Sequence, residues 1–181
     1  PDHFQKKIFT WANTYHSITY ILSDDIKADG QAERIIYAGP RQEFQVDGLC
    51  ISTLRSTDAG IAFLVRAEGK SIYHAGDLNW WHWEEEGPAY NKMMQRNYQH
   101  EIGKLEGEDI DVAFVPLDPR QEEQYYWGLD YLMKHTHTNC VFPMHMWDRY
   151  DVYERLMENE AAAGYKAKVM HITEDGQTFE I

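Results

Sequence analysis

The sequence predicts one domain, residues 1–181, built of mixed α/β layers. Three observations carry that expectation. A chain of 181 residues with 43% apolar and 26% charged residues has an ordinary globular balance and can close a core without staples. Its first half reads as short strands joined by turns. Its second half alternates buried strands with helical segments, and helices layered on a sheet bury the apolar faces of both.

Residues 4–13 (FQKKIFTWAN) have the composition of a short helix, and 15–22 (YHSITYIL) is β-rich and closes at Asp24-Asp25. Ala28-Asp29-Gly30 and Gly39-Pro40 are turns, and 42–46 alternates weakly, as a strand does. The segments 50–54, 61–66 and 71–74 read as successive strands, with turns at Asp58-Ala59-Gly60 and Glu68-Gly69-Lys70. Residues 83–105 are helical in composition, with Pro88 in the early turns, where proline is tolerated. There follow a buried strand at 111–116, a helix at 121–135 and a buried strand at 139–142. A helix at 151–163 is closed by Gly164, and strands are expected at 166–172 and, as an edge, at 177–181.

The net charge of −13 and the acidic run Glu84-Glu85-Glu86 argue against a large basic face for nucleic acid. No apolar run is long enough to span a bilayer, and no leader opens the chain, so the cytoplasm is the default compartment. Cys50 and Cys140, far apart and in strand-like runs, read as buried free thiols. The sequence has no GxSxG elbow, no phosphate-binding GxxxxGK[ST] loop and no GxGxxG after a strand.

Chemistry gathers in three loops that hold metal-ligand residue types. These are Asp2-His3; His74-Ala75-Gly76-Asp77-Leu78-Asn79 after strand 71–73; and Pro143-Met144-His145-Met146 after the strand ending at Phe142. Carboxylates with imidazoles suit zinc or a similar first-row metal. Gly76 lets the backbone turn sharply, so that the next carboxylate points out of the sheet end. No one loop is specific; the signal is the three in this order.

The segment SIYHAGDLNWWHW resembles the strand-then-Gly-Asp motif of the metallo-β-lactamase superfamily. VFPMHM is similar to its last motif, a strand ending in a metal-binding His, and PDHF to the tail of its HxHxDH signature without the first two His. The resemblance covers roughly residues 1–150. It implies a four-layer αββα sandwich, incomplete at the N-terminus, because the missing HxH and the first strands would precede Pro1. It implies a metal-dependent hydrolase acting on an ester, lactone, amide or phosphoester small-molecule substrate. Asp2 and His3 would bind the second metal, Asp77 would bridge two metals, and His145 would complete the second metal's site. Asp2 would also orient or deprotonate the attacking water. Zinc is the expected ion, one or two per chain, with manganese or iron as alternatives.

The sequence departs from the pattern at Arg55-Ser56-Thr57-Asp58, where the first site expects a His. Either Asp58 serves as an oxygen ligand or that site is lost. His74 is a substrate contact, a partner to the ligands, or a structural strand-end His. Trp80, in Trp80-Trp81-His82-Trp83, walls the substrate pocket or packs the start of a helix. Arg120, in Asp118-Pro119-Arg120, grips a substrate phosphate or carboxylate or else braces its own loop through the aspartate. His135-Thr136-His137 imitates HxH but falls at a helix end, where the dipole favours His. His16, His82, His100 and His171 have no ligand partner at a useful spacing. Two other readings stand beside the hydrolase: a non-catalytic binding or assembly module that has lost its first metal site, and a redox member of the superfamily with two irons. The expected partner is a small molecule, not a membrane or nucleic acid. An exposed sheet edge invites pairing between copies, so a homo-oligomer is one outcome.

Overall fold

The computed structural model describes residues 4–28, 34–174 and 176–181. Asp2, His3 and the turn residues Asp29-Gly30 lie outside them. A six-stranded mixed sheet runs in chain order: β3 (Glu43–Val46), β4 (Leu49–Arg55), β5 (Ile61–Ala67), β6 (Lys70–His74), β7 (Asp109–Pro116) and β8 (His137–Met144). The first four strands are antiparallel, and β6, β7 and β8 are parallel. A separate parallel pair joins β1 (Tyr20–Ser23) to β2 (Ile35–Ala38).

Local chemistry explains the hairpins. Asp47-Gly48 and Glu68-Gly69 each take two consecutive left-handed φ values, 49° and 83°, then 51° and 78°. Two such residues form the two-residue turn whose twist matches antiparallel strands. The parallel part needs crossovers instead. α1 (Pro88–Ile102) links β6 to β7, and α2 (Trp127–His135) links β7 to β8. Tyr73, Ala113 and Val141 stand side by side on neighbouring strands and are all buried. Tyr98 and Ile102 of α1 and Leu129 and Leu132 of α2 share their core cluster. Full burial of each large side chain stabilises the fold by about 1.5–3 kcal/mol. Glu101 ties α1 to the sheet. Its buried carboxylate takes Arg41, Lys104 and the Arg55 N–H.

The opposite sheet face carries Ile72, which is 38% exposed, and the stacked pair Phe114–Phe142. The β1–β2 pair has its own cluster of Phe9, Tyr20, Leu22 and Ala28. No helix among the described residues is long and apolar enough to cross a membrane.

Several expected elements differ. The helix read at 4–13 is a 3-10 helix, Lys6–Asn13, and the β-rich stretch 15–22 contributes only Tyr20–Ser23. The helix read from 83 begins at Pro88, whose fixed φ and missing N–H suit a first helical position. The helix at 121–135 is two pieces. A 3-10 segment, Pro119–Gln124, is interrupted at Glu122 (φ 50°), and α2 follows. The helix at 151–163 stops at Glu158 as α3 (Asp151–Glu158), because Asn159 turns extended and its Oδ1 caps a new 3-10 turn through Ala161 N–H. Residues 166–172 are not a strand: Lys166–Lys168 is a 3-10 turn, and only Val169 bridges Val141. Residues 177–181 are not a strand either, although Phe179 packs edge-on against Phe142 at 5.0 Å. Both segments are strand-like in composition, but a strand needs a ladder of partners. Among the described residues β8 supplies one bridge. Ile35–Ala38, four residues without alternation in sequence, was not foreseen as a strand.

Candidate metal centre

Because β6, β7 and β8 are parallel, their C-terminal ends lie at one edge of the sheet, and three loops leave from it. After β6, Gly76 turns the chain with φ 54°, and a Cβ there would meet the Ile61 carbonyl oxygen at 3.1 Å. Glycine is therefore required twice over. Thr57 pins the same loop. Its hydroxyl donates to Asn79 O at 2.7 Å and accepts from Asn79 N–H at 3.0 Å. Trp81 Nε1 donates to Asp77 O at 3.0 Å. The Asp77 carboxylate is thus held on a braced turn and is buried.

After β8, His145 takes the left-handed conformation at φ 64°. Its Nε2 lies 3.4 Å from Asp77 Oδ1, and its Nδ1 lies 3.0 Å from Asp118 Oδ2. After β7, Leu117 N–H donates to Met144 O and places Asp118 beside His145. Asp118 is fully buried and is saturated by donors. Arg120 N–H donates to Oδ1 at 2.9 Å, Arg120 Nε at 3.0 Å, and Arg120 Nη2 to Oδ2 at 2.6 Å. Carboxylate, imidazole and carboxylate therefore stand in a row.

The electrostatics follow from that row. Burial alone would raise the Asp118 carboxyl, but hydrogen bonds from His145 and Arg120 outweigh it and hold it at about 2. Hydrogen bonds to Asp118 and then Asp77 carry His145 up to about 9 against its own burial. With Nδ1–H directed at Asp118, the imidazole presents Nε2 to Asp77, the arrangement in which a carboxylate orients a ligating His from behind. Trp147 Nε1 also approaches Nδ1, at 3.2 Å, but a protonated Nδ1 cannot accept. The Asp118 bond is the one that stands, and Trp147 is in contact only. Among the described residues no group of three or more His, Cys, Asp or Glu side chains is set to hold a metal; Asp77 and His145 supply two donors.

No family model and no curated protein sequence matches the chain. Among solved structures it is similar to Igni18, described as a novel metallo hydrolase from the hyperthermophilic archaeon Ignicoccus hospitalis. The TM-score is 0.62 at 20% identity, covering 99% of this chain and 76% of that one. It is also similar to the metallo-β-lactamase fold protein YhfI from Bacillus subtilis, with a TM-score of 0.56 at 10% identity, covering 93% and 70%. The chain has the metallo-β-lactamase fold.

At these identities the likeness is one of backbone path, so the chemistry rests on the side chains. Within this metallo-β-lactamase fold, Asp77, His145 and His74 line one cleft. His74 stacks on Phe114 and accepts from Gly76 N–H at 3.1 Å. Burial pushes its pKa down, and the Asp77 charge only partly offsets this. Asp58 is exposed and does not line that cleft. Its neighbour Thr57 is taken up by the clamp on Asn79. Trp80 faces elsewhere and packs on Trp127 at 5.1 Å and against Tyr131. Arg120 is the brace of its loop, spread over Asp118 and stacked on Trp147 at 4.2 Å, not a free substrate grip. His135 stacks on Tyr131, and His137 faces Asp109 on the surface, so the HxH look-alike stays apart from the cleft.

Sequence reasoning passed over Asp118 as a site residue. A carboxylate directly after a buried strand, two residues before an Arg, was the available signal. Its pairing with His145, 27 residues on, appears only in the fold.

Proposed function

We propose that this chain is a metal-dependent hydrolase whose Asp77 and His145 hold a divalent metal, with Asp2 and His3 as further ligands. The observation that carries this reading is the row Asp118–His145–Asp77 opening into one cleft. The donor chemistry fits a metal. An acidic oxygen and an imidazole nitrogen face each other at 3.4 Å, and a buried carboxylate fixes the imidazole from behind. Bound there, zinc, or else manganese or iron, would acidify a water and polarise a substrate oxygen.

The protein's own part is positioning. Gly76 and Thr57 set the Asp77 carboxylate. Asp118 holds the His145 ring so that its Nε2 proton can be exchanged for a cation. Asp2 would orient or deprotonate the attacking water. The substrate is a small molecule with a hydrolysable ester, lactone, amide or phosphoester bond.

Elemental analysis of the full chain after equilibration with zinc tests the reading. Asp77→Ala and His145→Ala should each lose bound metal. Unchanged metal content in both variants would overturn the proposal. A second reading, a binding module lacking the first metal site, draws on the structural use of Thr57 and the exposure of Asp58. It predicts no stoichiometric metal in the unaltered chain.

A further inference from the structure

We infer that the substrate of this cleft carries an apolar acyl or alkyl group beside an uncharged scissile bond, so that carboxylic esters, thioesters or lactones fit it and phosphoesters do not. This rests on the hydrolase reading and narrows its substrate class. The cleft has a volume of about 560 Å³, within the range of small-ligand sites. Asp77, His145 and His74 form one side. Much of the rest is apolar: Ile21 and Leu22 of β1, Ile26, Ile61 beside the Gly76 turn, and Met144 and Trp147 flanking His145. The apolar wall therefore begins within one or two residues of the proposed ligand and continues onto the β1–β2 pair.

The charges in the cleft point the same way. A phosphoester keeps an anionic oxygen and is commonly held by Arg or Lys as well as by metal. Among the described residues no Lys or Arg lines this cleft, and Asp25, a carboxylate apart from the proposed ligands, does. The nearby guanidinium, Arg120, is committed to Asp118 and stacked on Trp147. Hydrolysis of an ester here adds the oxygen of water to the acyl carbon and breaks the acyl C–O bond. A proton goes to the departing alkoxide, leaving a carboxylic acid and an alcohol. None of these atoms is anionic in the bound substrate, which suits a cleft that offers the carboxylate of Asp25 and no Lys or Arg among its described lining.

The test uses the full chain equilibrated with zinc. The rate constant kcat/KM is measured for p-nitrophenyl acetate, butyrate, hexanoate and octanoate, and for bis(p-nitrophenyl) phosphate. Each methylene that reaches the wall should raise kcat/KM by up to about fourfold, and the phosphodiester should be the poorest substrate. Calorimetric binding of 2-hexanone, 2-octanone and 2-decanone gives a readout that needs no turnover, and affinity should rise along that series. Ile26→Asp and the milder Ile26→Ala should flatten both series without changing metal content. Faster turnover of the phosphodiester, or ketone affinities independent of chain length, would overturn the inference. If zinc is not retained, the hydrolase reading falls by itself, and the ketone series still decides whether the wall selects apolar chains.

Discussion

Replacing Asp118 by Asn separates the row of three side chains from its anchor. The Asp118 carboxylate is fully buried and accepts from Arg120 and His145, so the substitution removes one buried charge and leaves two cationic partners. Arg120, 45% exposed, can turn to water, and His145, 13% exposed, can shed its proton. The penalty should therefore fall below that of stripping a fully enclosed ion pair. The carboxyl moves from 3.8 to about 2, a linkage worth roughly 2–3 kcal/mol. The rise of His145 from 6.5 to about 9 is largely the same interaction seen from its partner and is not added. For a domain of this size, a loss of that magnitude lowers Tm by about 4–12 °C. The sign with pH is definite. The folded pKa of His145 is raised, so its contribution is complete below 6.5 and is lost as pH climbs through about 9. The folded pKa of Asp118 is depressed, so its contribution is complete above 3.8 and is lost as pH falls toward about 2. Urea unfolding in the presence of a chelator, across that alkaline window, should show the unaltered chain losing stability while Asp118→Asn changes little. A variant that matches the parent in midpoint and in alkaline slope would refute the argument.

Other perturbations follow from single contacts. Gly76→Ala combines a φ of 54° with a Cβ 3.1 Å from the Ile61 carbonyl, and should lower stability by about 1–3 kcal/mol in urea unfolding. Thr57→Val removes both hydroxyl bonds to Asn79, and should cost about 1–2 kcal/mol and weaken zinc binding measured by calorimetry. Gly128→Ala would drive a methyl into Asn79 Oδ1, and Asn79 makes no side-chain hydrogen bond among the described residues. The double variant Asn79→Ala/Gly128→Ala should therefore be more stable than Gly128→Ala alone, a coupling that a double-mutant cycle measures directly.

The hairpin turns at 58–60 and 68–70 were legible because their information is local: Glu68-Gly69 states its turn in two residues, whereas the Asp47-Gly48 turn was passed over. The Asp77 and His145 loops were legible because strand and candidate ligand follow one another in the chain, with Gly76 marking the turn in the first. Asp118 was not, since its meaning lies in a ring brought to it from another strand. The C-terminal strands were misread for a related reason. Residues 166–172 and 177–181 have strand composition, but pairing belongs to two segments, and β8 offers them one bridge. The helix read from 83 was placed too early because composition does not mark a first turn, whereas Pro88 at the first helical position does.

Neighbouring strands in a sheet are spaced by about 4.8 Å, so the roots of the three site loops on β6, β7 and β8 are set by backbone pairing before any side chain acts. Tolerance to length change should accordingly be lopsided along the strand axis. A residue inserted at Glu68-Gly69 or Glu106-Gly107, at the far ends of these strands, can bulge into solvent. One inserted directly after His74, Pro116 or Met144 would carry a carboxylate or imidazole out of register with its neighbours.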